Sequence, residues 1–79
     1  MKRFYVSKVS CKNNKDMSIA AGPEKNSVID LTIEFVSNYF KDIDIVNLKE
    51  TLIHDEVFEN LKYKFTVTEQ MSESILSIL

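Results

Sequence analysis

Apolar residues recur at helical spacing in the middle of the chain. Two adjacent rows at i, i+3 and i+4 intervals run from Val28 to Phe40, a pattern typical of an amphipathic helix with a broad buried stripe. Ser27 precedes the stripe and Asp30 follows three residues later, which suits an N-cap with an acid in the first turn. The pattern predicts a helix over about residues 26–41.

The start of the chain predicts a β-hairpin. Residues 4–11 and 17–21 have strand-like composition, and residues 12–16 between them contain Asn and Asp, which tolerate turn conformations. Apolar side chains occupy both even and odd positions of the first arm, so we expect both of its faces to be partly covered. Gly22 and Pro23 then end the sheet.

The pattern over residues 43–60 is ambiguous. Residues 43–45 alternate Ile with Asp, which favours a short strand. Residues 47–50 resemble a capping box that opens a helix through Leu52 and as far as Phe58. The segment is therefore a strand, a helix or both.

The end of the chain predicts another strand and a terminal helix. Residues 61–67 alternate apolar with polar side chains, as a half-buried strand does. Beyond Thr68, the spacing of Met71, Ile75 and Ile78 or Leu79 predicts a short amphipathic helix. This helix either packs on the sheet of a monomer or crosses to a second subunit, so a homodimer is one expectation.

Together these elements predict one α+β domain over residues 1–79, in the order β-β-α-β-(α)-β-α. The N-terminal hairpin and one or two further strands form a small sheet that packs against two or three helices. A chain of this length buries only about 60–65% of its unfolded surface. A hydrophobic fraction of 44% is enough for one core.

Motifs for catalysis and cofactor binding are missing from the sequence. With a single glycine, Gly22, the chain has no P-loop, dinucleotide fingerprint or G-x-S-x-G turn. Its one thiol, Cys11, and its one imidazole, His54, are far apart in sequence, so a dyad requires the fold to bring them together. We expect no enzymatic activity and no cofactor.

Two acidic stretches resemble metal sites only in part. Asp42 and Asp44 start like a calcium loop, but the later ligand positions and the glycine of that loop are absent. His54 has Asp55 and Glu56 beside it, yet adjacent helical residues point in different directions. We therefore predict no metal site.

Charge is distributed unevenly along the chain. Residues 1–25 carry six bases against two acids, a net charge of +4, whereas residues 26–79 carry four bases against ten acids, a net charge of −6. Such asymmetry is a hint about binding partners.

The acidic stretch also contains apolar side chains, a combination in which charge gives specificity and apolar contacts give affinity. We predict that it docks onto a basic protein. Its candidate residues are Asp42, Asp44, Glu50, Asp55, Glu56, Phe58 and Glu59. An ordinary charged, solvated face is the simpler interpretation of the same residues.

The basic N-terminal hairpin supports an alternative, a nucleic-acid-binding regulator that acts as a dimer. Cations would contact phosphates, and the neighbouring Phe4 and Tyr5 would stack on bases. Lysines that protect an edge strand from aggregation account for the pattern equally. The candidate residues are Lys2, Arg3, Lys8, Lys12 and Lys15.

Location and origin follow from weaker signals. The apolar run after Met1 stops at Ser7, and no stretch approaches the roughly 20 apolar residues of a membrane span. We expect a soluble cytoplasmic protein that does not bind membranes. Lys outnumbers Arg nine to one, a bias that favours an AT-rich bacterial, phage or mobile-element genome. The leading hypothesis is a small regulatory or inhibitory protein that binds a basic protein partner.

Overall fold

The structure, a computed structural model, describes residues 3–11 and 15–71. These residues form four strands and two helices in the order β-β-α-α-β-β. The elements are β1 (Arg3–Cys11), β2 (Met17–Gly22), α1 (Lys25–Tyr39), α2 (Ile45–Asp55), β3 (Val57–Glu59) and β4 (Tyr63–Met71). All strand pairs are antiparallel, and the order across the sheet is β2-β1-β4-β3. The predicted α+β class is confirmed.

The two central strands, β1 and β4, pair over their whole length. Ser7 lies opposite Val67, and Val9 lies opposite Phe65. Because side chains alternate across a strand, these four share the face on which the helices pack. Between Ser7 and Lys8 the register with β2 shifts, as at a β-bulge.

One hydrophobic core joins both helices to the two central strands, and partly buried residues of β2 and β3 pack against it. Its central residue is Phe65, which is fully buried. The rings of Phe40, Phe58 and Tyr63 surround it, with centroids 5.7, 6.2 and 6.2 Å from that of Phe65. The buried residues of the core cluster are Val9, Ile29, Val36, Ile43, Leu48, Leu52, Phe65 and Val67.

The opposite face of the sheet carries the even-numbered residues of β1 and β4. Phe4, Val6 and Lys8 on this face are half-buried, as are Thr66 and Gln70. We call it the outer sheet face. The expectation that both faces of the first strand are partly covered agrees with this burial.

A buried hydroxyl pair connects β1 to α1. Thr32 Oγ1 lies 2.7 Å from the carbonyl oxygen of Val28 and 2.6 Å from Ser7 Oγ. Since a carbonyl oxygen can only accept, the single hydroxyl hydrogen of Thr32 goes to Val28, and Ser7 donates to Thr32. Both hydroxyls are thereby satisfied inside the core.

The predicted helix over residues 26–41 is present as α1, but its start differs. Glu24 occupies the N-cap position without a side-chain hydrogen bond to the backbone. Ser27 lies in the first turn, and its hydroxyl donates to Glu24 Oε2 over 3.4 Å. The prediction of a Ser27 cap is wrong because Lys25 and Asn26 extend the helix by a further half-turn.

The predicted strand over residues 43–45 is also wrong. Ile43 is buried in the core, whereas Ile45 begins α2. Asp44 caps this helix, because its side chain accepts a hydrogen bond from the backbone N–H of Asn47. The predicted second helix is thus present, but it begins before the capping box inferred from the sequence. It also ends at Asp55, so Phe58 belongs to β3 and not to the helix.

The strand predicted over residues 61–67 is present as β4, but it begins later, at Tyr63, so Leu61 and Lys62 lie in the turn before it. β4 continues to Met71, so Met71 belongs to a strand instead of the predicted terminal helix. Pairing with the full length of β1 explains the extension. The remainder of the predicted terminal helix lies outside the described residues, as do residues 12–14 of the predicted turn.

Candidate functional site

The predicted acidic surface is divided among three parts of the fold. Asp42 and Asp44 precede α2, Glu50 lies on its exposed side, and Asp55 and Glu56 lie at its end. The last two members, Phe58 and Glu59, belong to β3. The structure therefore does not gather all the acids on one face.

The first aspartate is held by an ion pair. Lys62 Nζ donates to Asp42 Oδ2 over 3.0 Å, across the surface between α2 and the β3–β4 turn. This hydrogen bond, followed by a backbone hydrogen bond, lowers the pKa of Asp42 below its ordinary value of 3.8. The same bond raises the pKa of Lys62 above its ordinary value of 10.5. Asp42 is therefore partly neutralised for any partner.

The end of α2 has a similar neutralising contact. Glu56 adopts the left-handed conformation, with φ of 64°, which ends the helix. Lys25 Nζ lies 3.6 Å from Glu56 Oε2 and donates to the carbonyl oxygen of Ile53 over 3.1 Å. Lys25 of α1 thus contacts both the carboxylate of Glu56 and the backbone carbonyl of Ile53 at the end of α2.

Two residues of the predicted surface are oriented by β3. Phe58 points into the core, where its ring packs near Phe65. Glu59 points to the other side, directly opposite Lys64 of β4. A cross-strand pair of opposite charges is mildly stabilising. Phe58 therefore anchors β3, and the apolar contacts of a docking surface must come from other residues.

An exposed face of α2 combines apolar and acidic side chains. Val46, Glu50 and Ile53 follow one another at i, i+4 and i+7, on the side away from the buried Leu48 and Leu52. Val46 is 70% exposed. We call these three residues the α2 face. The sequence analysis did not identify Val46 as an exposed residue. Its helical spacing from Leu48 and Leu52 places it on the opposite side of α2, so the sequence did contain this information.

The predicted basic residues are also separated by the fold. Arg3 pairs with Glu69 through an Nε–Oε1 distance of 3.0 Å. Lys8 lies on the outer sheet face, Lys15 is exposed two residues before β2, and Tyr5 packs against the core on the opposite face. Lys2 and Lys12 lie outside the described residues.

A lysine from the acidic half of the chain joins Lys8. Lys64 of β4 pairs with Ser10 of β1, which lies two residues from Lys8 on the same face of the sheet. Lys8 and Lys64 therefore line one depression of about 190 Å³. Asp16 lines the depression too. Sequence reasoning missed Lys64 here because strand pairing, which is non-local, brings it beside Lys8.

The candidate catalytic and metal-binding side chains lie apart from one another in the described part of the chain. Cys11 is half-buried at the end of β1, opposite Tyr63, and His54 is exposed in the last turn of α2. Within residues 3–11 and 15–71, no three His, Cys, Asp or Glu side chains are grouped closely enough to hold a metal ion.

Neither of the two helices found in the described ranges combines the length and the apolar character needed to cross a bilayer.

Comparison with known proteins finds no family model, no curated protein and no solved structure that matches the chain.

Proposed function

We propose that the protein is a small, non-enzymatic, cytoplasmic regulatory module that docks onto a basic protein through the α2 face. The supporting observation is an exposed helix face on which two apolar side chains flank a carboxylate that makes no ion pair within the described residues. An inhibitor encoded by a phage or mobile element is one form that such a module takes.

The α2 face suits a protein partner for two physical reasons. Val46 and Ile53 supply apolar area that association removes from water. Glu50 lies between them and prefers a cation opposite it, which gives specificity and steering. Asp55, at the end of the same helix, extends the negative potential towards β3.

A capture experiment with matched variants tests this proposal. We would compare the full chain, the variant Val46→Ala/Glu50→Lys and the control Leu61→Ala/Asp16→Lys in a nuclease-treated lysate. Both variants change net charge equally and trim one exposed apolar side chain, since Leu61 is 84% exposed. We expect a basic partner that the control retains and the α2-face variant loses. Equal retention by both variants would refute the proposal.

A second candidate is nucleic-acid binding by the outer sheet face. Its support is the meeting of Lys8 and Lys64 on a face that also carries Phe4. Cations that follow a backbone beside an aromatic ring are the usual elements of single-strand binding.

Salt dependence separates this candidate from the first. With a labelled single-stranded oligonucleotide, Lys8→Gln/Lys64→Gln is expected to weaken binding and lower the log–log salt slope by roughly 1.4. The control Lys41→Gln/Lys49→Gln removes two lysines of the helical layer and preserves the slope. Absence of binding by the wild-type chain at low salt would exclude this candidate.

A further inference from the structure

β2 is an edge strand without the usual protection against pairing. Among residues 3–11 and 15–71, it has a hydrogen-bonded neighbour on one side only, β1. Its sequence, Met-Ser-Ile-Ala-Ala-Gly, contains neither a charge nor a proline. Exposed edges normally carry charged residues or proline, or are very short. The other edge, β3, follows this rule, since it has three residues and ends in Glu59.

An apolar groove runs beside this edge. Leu31, Phe35 and Tyr39 recur at i, i+4 and i+8 on α1, and with β2 they line an open groove of about 500 Å³. Leu31 is 51% exposed and Tyr39 is 71% exposed. The rings of Phe35 and Tyr39 are stacked at an angle, with centroids 4.7 Å apart. We call β2 and these three residues the β2–α1 edge.

We propose that the β2–α1 edge pairs with the same edge of a second copy of this chain. Two copies related by a two-fold axis would join β2 to β2 in antiparallel fashion and extend the sheet to eight strands. The two α1 helices would then lie side by side above the joined strands.

The geometry of the edge is self-complementary. Val28 lies beside Gly22 at the end of β2, and Phe35 lines the groove together with residues 19–21, so α1 runs back along the strand. Because Phe35 is the midpoint of the stripe, a two-fold axis beside Phe35 would place Leu31 against Tyr39 of the partner subunit. Each exposed apolar side chain of the stripe covers another across the axis.

The scarcity of charge in the groove argues against a charged partner. Of the residues that line the groove, only Glu34 carries a charge, so electrostatic attraction does not select a different macromolecule here. Glu34 precedes Phe35, and the two-fold axis brings the two Glu34 carboxylates towards each other. Their repulsion would weaken the dimer, so removing this charge is expected to tighten it.

The size of the edge indicates a weak dimer. Eight residues line the groove, whereas a standard interface uses roughly 20–30 residues per partner. We therefore expect a monomer–dimer equilibrium that depends on concentration, with the dimer dominant only at high concentration.

Sedimentation equilibrium of the full chain tests the proposal over roughly 10 µM to 1 mM. The variant Leu31→Lys/Tyr39→Lys is expected to weaken dimerisation at least about tenfold. The control Val46→Lys/Leu61→Lys replaces two apolar residues elsewhere that are at least as exposed, and it is expected to leave the equilibrium unchanged. Circular dichroism would verify that both variants are folded. A wild-type monomer at every concentration, or a dimer that only the control disrupts, would overturn the proposal.

Two further measurements are specific to the symmetry. Glu34→Gln is expected to tighten the dimer several-fold at low salt, and failure to tighten would contradict a two-fold axis beside Phe35. On dilution, backbone amide hydrogen exchange is expected to accelerate in β2. If the β2 amides were protected in a monomer, another segment of the chain would occupy the edge and the proposal would fail.

Discussion

At the residue scale, the polar groups inside the core are confined to a single geometry. Ser7 donates to Thr32, which donates in turn to the carbonyl oxygen of Val28. A hydroxyl loses its hydration when it is buried, so each must find a partner at a fixed distance. The pair therefore specifies how α1 lies on β1, in addition to any stability that it contributes.

The hydroxyl pair is expected to behave non-additively. Thr32→Val leaves the Ser7 hydroxyl buried without an acceptor and is expected to lower the free energy of unfolding by about 1–3 kcal/mol. Adding Ser7→Ala to this variant removes the orphaned donor and is expected to restore part of the loss. Urea unfolding of both single variants and the double variant measures the coupling. Additive losses would show that the two hydroxyls do not interact.

The ion pair between Asp42 and Lys62 links stability to pH. The pKa of Asp42 is lowered in the folded protein, so its stabilisation is present above the unfolded value of 3.8 and is lost as pH falls through the lowered pKa. The pKa of Lys62 is raised, so its contribution is present below 10.5 and is lost as pH rises through the raised pKa.

An NMR titration of the Asp42 carboxyl group measures this linkage. Lys62→Gln is expected to raise the pKa of Asp42 towards 3.8, because the hydrogen bond that favours the carboxylate is removed. The control Lys41→Gln removes a lysine whose ammonium group instead contacts the carbonyl oxygen of Ser37. Equal midpoints in wild type and Lys62→Gln would contradict the assigned cause.

At the scale of elements, the two helices begin in different ways. α1 begins at Lys25 without a side-chain cap, whereas the Asp44 carboxylate accepts from the N–H of Asn47 at the start of α2. α1 has four buried residues and α2 has two. The longer helix depends more on burial, and the shorter helix depends more on its cap.

The cap of α2 should therefore carry a measurable share of stability. Asp44→Ala is expected to lower the free energy of unfolding by about 1 kcal/mol. Asp55→Ala is the control, since it removes a carboxylate from the other end of α2, where negative charge opposes the helix dipole. Chemical denaturation is expected to show a loss for the first variant and no loss for the second. Equal losses would contradict a specific role for the cap.

The sequence predicted elements well where periodicity is local. Helical spacing from Val28 to Phe40 indicated α1, and alternation over residues 61–67 indicated β4, because each pattern lies within one element. Alternation at residues 43–45 was misleading. Ile43 lies in the loop before α2 and is buried in the core. Its alternation with aspartates therefore reflects this burial and not a strand.

At the scale of the whole molecule, a single core joins the elements. Phe65 lies at its centre, and core residues come from both helices and from β1 and β4. A chain of 79 residues has a free energy of unfolding of only roughly 4–12 kcal/mol. Folding should therefore be one cooperative transition.

Truncation at the centre of this core should affect the entire molecule. Phe65→Ala is expected to cost about 3–5 kcal/mol, because it removes a fully buried ring and leaves a cavity. Leu61→Ala, in an exposed turn, is expected to change stability by less than about 0.5 kcal/mol. Thermal unfolding followed by tyrosine fluorescence and far-ultraviolet circular dichroism is expected to give coincident curves. Separate transitions would contradict a single core.

The sequence by itself determined the α+β class, the first hairpin, the long helix and the alternating strand. These features depend on contacts between residues that are close in the chain. Tertiary structure decided the strand order β2-β1-β4-β3 and the ion partners of the acids. It also brought Lys64 beside Lys8 and left the β2–α1 edge beside an apolar groove. Each of these depends on pairing between distant segments, and the free energy of burying one shared core selects that pairing.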